Sequence, residues 1–234
     1  MSSAKSLSAM CTLSDDLIPY YSGSIPVPSS ELNLRQTLHG GQSFRYICCL
    51  LVFSFDLTRS SHRWIEQPPD EFIGSLSSYI IRLKHVDEQL IYTFYTHTQL
   101  PLPPADDTRQ SETSQLLHDY FQLTVRLSDL VHRWSEADER FRSQQIPAGI
   151  RVLAQDPLEN LISFICSSNN NVQRISKMIK SLCDEYGTRI GAINGTHFHR
   201  FPTLSKAMDG PFGTLDFRIQ TNSTSPTSKS VYEN

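Results

Sequence analysis

Between Asp156 and Gly187 the chain reads DPLENLISFICSSNNNVQRISKMIKSLCDEYG, and the spacing of its apolar positions organises everything around it. Asp156 can cap a helix, Pro157 suits the first helical position and Glu159 stands three residues past the cap, so a helix is predicted to start here. Leu158, Leu161, Ile162 and Ile165 then fall on one face at helical spacing. The pattern breaks at Ser167-Ser168-Asn169-Asn170-Asn171, resumes with Val172, Ile175, Ile179, Leu182 and Tyr186, and stops at Gly187, a common helix terminator. Two amphipathic helices meet at a polar elbow.

Upstream the period changes. Phe72 to Leu76, Tyr79 to Leu83 and Leu90 to Tyr95 read as strands, the last two alternating Tyr79/Ile81/Leu83 and Leu90/Tyr92/Phe94 around the connection His85-Val86-Asp87-Glu88. They predict an antiparallel meander with one buried face. Leu32 and Leu34 suggest a short strand, and Leu38 leads to a Gly40-Gly41 turn where backbone can approach a ligand closely. Leu100 to Arg109, with three prolines, reads as a loop. Helical spacing follows at Leu116, Leu117, Tyr120 and Phe121 and again at Leu127, Leu130, Val131 and Trp134, before a short helix around Phe141 that Ser135 and Asp138 help to cap. The Ser-rich first 25 residues and the polar tail from 216 to 234 lack periodicity and are expected to be flexible.

Composition narrows the class. A chain of 234 residues with 38% hydrophobic and 19% charged residues can bury a sizeable core. The net charge of -3 excludes a global basic signature, so any nucleic-acid binding has to come from a local patch. Cys11, Cys48, Cys49, Cys166 and Cys183 form no CxxC and no metal-ligand spacing with the histidines, and read as reduced thiols. Cys166 and Cys183 lie on apolar helix faces and are expected to pack there. No segment reaches the length of a membrane span, and the N-terminus lacks the apolar core of a secretory signal.

The elbow has two readings on its residues alone. Ser and Asn bond to their own backbone and break helices, which explains a turn with no ligand. Alternatively, three amides carrying donors and acceptors, with Arg174 one turn into the next helix, make a reader of base edges. Arg126, Arg133, Arg140 and Arg142 raise a similar choice between a phosphate-facing patch and a solvated face.

DPLENLISFICSSNNNVQRI resembles the helix–turn–helix of the eukaryotic, fungal-like 8-oxoguanine DNA glycosylase/AP lyases. Glu31-Leu32-Asn33-Leu34 followed by Gly40-Gly41-Gln42-Ser43-Phe44-Arg45 resembles that family's ELxL…SGQSFRW, and Asp119 to Leu123 its run into the helical domain. The resemblance implies that the first Asn of the triplet, Asn169, fills the gap left by a flipped base. It likewise implies that Arg174 reads the orphaned cytosine, and that Gly41 recognises the oxidised base through its backbone carbonyl. The implied fold is α+β: a twisted antiparallel sheet like one repeat of the TATA-binding protein, then an α-helical domain of the helix–hairpin–helix glycosylase type. The implied partner is double-stranded DNA containing oxidised guanine, bound by a monomer without metal or other cofactor, in the nucleus or else the mitochondrion.

Two departures qualify the resemblance. Tyr46 to Arg63 interrupts the family motif, and deleting it joins Arg45 to Trp64, restoring GQSFRW. The code permits intron donor, branch and acceptor sequences there in order, so a retained intron is expected, with an extra hairpin as the other reading. Past Phe201-Pro202-Thr203-Leu204, which matches a family helix start, Phe217-Arg218-Ile219-Gln220 becomes Phe-Gly-Tyr-Arg after a one-base shift. The family's hairpin, its nucleophilic lysine and its aspartate are not found, so no catalytic residue is assigned. The expected organisation is a flexible 1–25, a β domain over 26–125 with an insertion at 46–63, a partial helical domain over 126–215 and a disordered 216–234. The expected function is base-excision repair of 8-oxoguanine opposite cytosine by a family member inactive alone. The other readings are a non-catalytic damaged-DNA-binding fragment and a product that does not fold.

Overall fold

The computed structural model describes residues 13–43, 64–67, 70–99, 107–144 and 147–209. Residues 1–12, Phe44, Arg45, the 46–63 segment and the 216–234 tail lie outside the described residues. The elements run β1 (Leu17–Pro26), α1 (Leu34–His39), β2 (Trp64–Gln67), β3 (Glu71–Leu76), β4 (Tyr79–Val86), β5 (Gln89–His97), α2 (Asp107–Tyr120), α3 (Leu127–Ala137) and α4 (Glu139–Ser143), then α5 (Pro157–Ser167), α6 (Val172–Tyr186), β6 (Arg189–Ile193), β7 (Thr196–His199) and α7 (Leu204–Asp209). The five-stranded antiparallel sheet has the order β1-β5-β4-β3-β2. The three strands expected from alternation are all present.

Several expectations change. Residues up to 25 were expected to be flexible, yet Leu17–Pro26 is an edge strand paired with β5. Its register shifts between Pro19 and Tyr21, and a bulge of this kind breaks the period-two signal. Leu34 begins a helix rather than continuing a strand: the Asn33 side chain accepts from the Gln36 amide, and Leu34, Thr37 and Leu38 bury together at helical spacing. The loop expected as far as Arg109 gives way to α2 at Asp107.

A further change concerns the sheet's faces. One packs Leu83, Tyr92 and Phe94 with Leu117, Tyr120 and Phe121 of α2 and the turn after it. The other is not bare: Ile73, Ile80 and Tyr95 pack with Ile190, Ile193 and Phe198, so the β6–β7 hairpin covers it. Both faces of the sheet are therefore core, and the hairpin that follows the helices belongs to the packing of the strands.

Helix α5 starts as expected, with the Asp156 carboxylate accepting from the Glu159 amide at 2.9 Å and Pro157 in the first turn. Its buried face is a residue out of phase with the expected one. Glu159, Ile162, Ser163 and Cys166 are buried, whereas Leu161 and Ile165 are 59% and 53% exposed and Phe164 is 58% exposed. A helix apolar almost all round gives periodicity little to choose between. On α6, Ile175, Ile179, Leu182 and Cys183 are buried against α5, while Val172 is exposed. Replacing Asp156 by alanine is expected to destabilise the fold by about 1 kcal/mol, the usual worth of an N-cap, read as a lower urea midpoint with unchanged slope.

Candidate nucleic-acid interface

The elbow between α5 and α6 divides its three asparagines between two tasks. Asn170 is structural: its amide donates to the Cys166 carbonyl at 3.0 Å and lies 3.3 Å from the Met178 sulfur, while its carbonyl accepts from the Asn171 backbone at 2.9 Å. Asn171 is the N-cap of α6, accepting from the Arg174 amide at 3.0 Å. Asn169 is different. It sits in the left-handed region at φ 48°, is exposed, and its side chain has no partner among the described residues. The Arg174 side chain, one turn into α6, is likewise exposed and unpartnered among them. Turn chemistry accounts for two of the asparagines and leaves Asn169 and Arg174 available together at a helix N-terminus.

Gly41 lies elsewhere. It follows the end of α1, is exposed, and has φ 71°, a left-handed conformation that favours glycine. A Cβ built on it would meet nothing within 4 Å. The requirement for glycine is therefore conformational, and the space above the backbone is open.

A stretch from Gly149 to Asp156 connects the two places. The Gly149 carbonyl accepts from the Asn33 amide at 2.7 Å and from the Thr37 hydroxyl at 3.2 Å. Its φ is 78°, and a Cβ there would lie 2.4 Å from the Ser29 carbonyl oxygen, so no other residue fits. Two residues on, Arg151 is buried, and its guanidinium donates to the Glu31 backbone carbonyl, the Glu31 carboxylate at 2.6 Å, the Gln122 carbonyl at 2.8 Å and the Val125 carbonyl at 2.9 Å. Glu31 in turn accepts from the Leu127 and Ser128 amides, capping α3, whose own Arg126 provides no side-chain cap. Burial on its own would raise the Glu31 carboxyl. The Ser128 and Leu127 hydrogen bonds and the Arg151 charge outweigh it and hold the group below its ordinary value.

Gln42 completes the connection, its carboxamide donating to the Arg151 carbonyl at 2.7 Å and accepting from the Leu153 amide at 2.9 Å. The Gln155 side chain donates to the Gln42 backbone carbonyl. The structure thus brings Asn169 and Arg174 onto one elbow and ties Gly41 to the segment feeding α5. The 11 residues of α5 separate the two by roughly 16 Å along the helix axis. The local sequence does not show what Gln42 and Arg151 do, because Gln42 bonds the Arg151 and Leu153 backbone and Arg151 bonds Glu31, each more than a hundred residues away.

Other candidates fall away. Arg142 donates to the Ser135 and Glu136 carbonyls at the end of α3, so it braces α3 against α4, while Arg133 and Arg140 are exposed. Cys166 and Cys183 are buried free thiols, and burial pushes the Cys166 thiol up, away from the reactive thiolate. Among the described residues no cluster of three or more His, Cys, Asp or Glu is placed to hold a metal, and no helix is long and apolar enough to cross a membrane. A cavity of about 470 Å³ lies among Ser75, Asp156, Glu159, Tyr186, Arg200 and Phe201, and none of Gly41, Asn169 and Arg174 lines it.

Residues 24–161 match the family model described as 8-oxoguanine DNA glycosylase, N-terminal domain. The chain is 35% identical over 204 residues to the N-glycosylase/DNA lyase of Saccharomyces cerevisiae, covering 85% of this chain and 49% of that protein. It is 31% identical over 150 residues to the N-glycosylase/DNA lyase OGG1 of Arabidopsis thaliana, covering 64% and 39%. The chain thus spans half or less of the length of these curated relatives. Among solved structures, the 8-oxoguanine glycosylase/lyase of Clostridium acetobutylicum, in complex with double-stranded DNA containing cytosine opposite 8-oxoG, superposes with a TM-score of 0.57 at 22% identity. The superposition covers 84% of this chain and 55% of that one, a shared α+β fold.

Proposed function

The chain belongs to the 8-oxoguanine DNA glycosylase family, and from that footing we propose that it recognises 8-oxoguanine paired with cytosine in double-stranded DNA, in base-excision repair. The observation that carries the proposal is the pair Asn169 and Arg174, exposed and without a side-chain partner among the described residues, on an elbow whose remaining asparagines are occupied. Enzymes that work on a base extrude it from the duplex, leaving a gap and an unpaired opposite base. Asn169 fills that gap, and the Arg174 guanidinium donates to the ring nitrogen and carbonyl oxygen that the orphaned cytosine no longer shares. Oxidation turns the N7 acceptor of guanine into an N–H donor, so the Gly41 carbonyl is an acceptor that the oxidised base alone can use.

Excision in this reading passes through attack of a lysine amine on the sugar, loss of the base, a Schiff base and β-elimination. We assign that lysine to none of the described residues: Lys180 pairs with Asp184, and Lys206 donates to the Thr188 hydroxyl. In this reading the chain on its own binds as a monomer without cutting, acts in the nucleus and uses neither metal nor other cofactor. Borohydride added to a mixture with lesion duplex is expected to trap no covalent complex, and a trapped complex would overturn this assignment.

The binding test is fluorescence anisotropy with duplexes carrying 8-oxoguanine or guanine opposite cytosine. Preference for the lesion duplex, with affinity falling steeply as salt rises, supports the reading. Equal binding to both duplexes removes it. Gly41→Ala is expected to cost roughly 1–2 kcal/mol of stability through its left-handed backbone. It is also expected to abolish the preference in the same assay, because its methyl enters the space the base would occupy, while binding to undamaged duplex is kept.

A further inference from the structure

We infer that Gln42 is the positioning residue that sets lesion specificity, holding the recognition loop in fixed register with the segment that carries the elbow. The inference rests on the proposed role of Gly41 and asks what keeps that glycine in place. Gly41 itself supplies nothing: it is exposed, has no neighbour within 4 Å of a built Cβ, and adopts a conformation glycine can leave as easily as enter. Its carbonyl belongs to the peptide unit shared with Gln42. The orientation of that unit is set by what Gln42 does.

The Gln42 carboxamide behaves as an additional peptide group laid against the 151–153 backbone. It donates to the Arg151 carbonyl at 2.7 Å and accepts from the Leu153 amide at 2.9 Å, as a neighbouring strand would. Its backbone carbonyl is held from the other side by the Gln155 side chain. Three bonds on Gln42 come from 151–155, a segment anchored by buried Arg151 and Leu153 and running directly into the Asp156 cap of α5, and a longer one of 3.5 Å runs to the Thr37 carbonyl of α1. Base recognition and opposite-base reading are thereby parts of one body.

The chemistry is specific to glutamine. Glutamate would keep the acceptor for Leu153 but set a carboxylate against the Arg151 carbonyl. Asparagine is one methylene short of the same span. Methionine keeps length and volume while losing both bonds.

The experiment uses the full chain, with Gln42→Met and Gln42→Glu compared with the unaltered protein in competition binding to duplexes carrying 8-oxoguanine or guanine opposite cytosine. The expected result is a fall of about tenfold in the ratio of the two affinities, the worth of one well-placed hydrogen bond, with affinity for the undamaged duplex nearly unchanged. Amide exchange at Leu153 is expected to quicken in Gln42→Met, which removes the acceptor of that amide. Tyr79→Phe, which removes a 2.6 Å hydrogen bond from the sheet to Glu112 on α2, serves as a destabilised control and is expected to keep the full ratio. Retention of the ratio in both Gln42 variants, or an unchanged Leu153 amide in Gln42→Met, overturns the inference alone. Failure of the unaltered chain to prefer the lesion overturns the reading of Gly41 and the inference with it.

Discussion

Arg151→Met is expected to destabilise the protein by about 3–5 kcal/mol, the cost of breaking a buried ion pair by removing one partner. The Arg151 and Glu31 side chains are only 5% and 14% exposed, so solvent does little to screen the loss. Methionine fills much of the volume, but the Gln122, Val125 and Glu31 carbonyls lose their donor and the Glu31 carboxylate loses its counter-charge. Urea denaturation at neutral pH checks the size of the effect.

The sign of its pH dependence follows from Glu31, whose folded pKa lies below the ordinary value of 4.5. The stability this group contributes is present above that ordinary value and is lost as pH falls through the lower folded value. Without Arg151 the burial that raises the carboxyl has less to oppose it. The variant should therefore lose stability at a higher pH than the unaltered protein on an acid titration. An acid midpoint that does not move would mean that Glu31 is held by the α3 amides alone.

Arg174→Ala is expected to reduce discrimination for cytosine opposite the lesion by roughly ten- to a hundredfold, the range of one good bidentate base contact. Folding stability should barely change, because the side chain is exposed and has no partner among the described residues. Arg174→Lys is expected to restore little of the discrimination, since a point charge cannot reproduce the planar fork. Binding with each of the four bases opposite 8-oxoguanine measures it, and an unaltered ranking would remove Arg174 from the interface. Asn171→Ala supplies the contrast at the same elbow: it removes the α6 cap and should cost about 1 kcal/mol of stability.

What the sequence made legible follows from which forces are local. The cap at Asp156 and the 3.6-residue spacing of α6 are written within a few residues of where they act. The alternation in β4 and β5 is equally local. Strand β1 was hidden by its bulge, and the buried face of α5 by apolar residues on both sides. The β6–β7 hairpin had a signal that went unread: Asn194-Gly195, with φ values of 51° and 75°, is the favoured two-residue turn. Gly41, Asn169 and Arg174 were reached through resemblance, and geometry then separated Asn169 from the two asparagines beside it. Gln42 lies inside the motif that carries the resemblance, but its bonds to 151–153 and those of Arg151 to Glu31 close loops of more than a hundred residues, so neither structural role is written locally.

The β6–β7 hairpin also carries a consequence for synthesis. The sheet face formed by Ile73, Ile80 and Tyr95 is complete once β5 ends at His97, but its cover begins at Arg189, 189 − 97 = 92 residues later. At roughly 5–20 residues per second, a ribosome leaves that face bare for about 5–20 s. During that interval the nascent sheet presents Ile73, Ile80 and Tyr95, with Leu17 of β1 beside them, as an apolar surface open to association until the hairpin arrives.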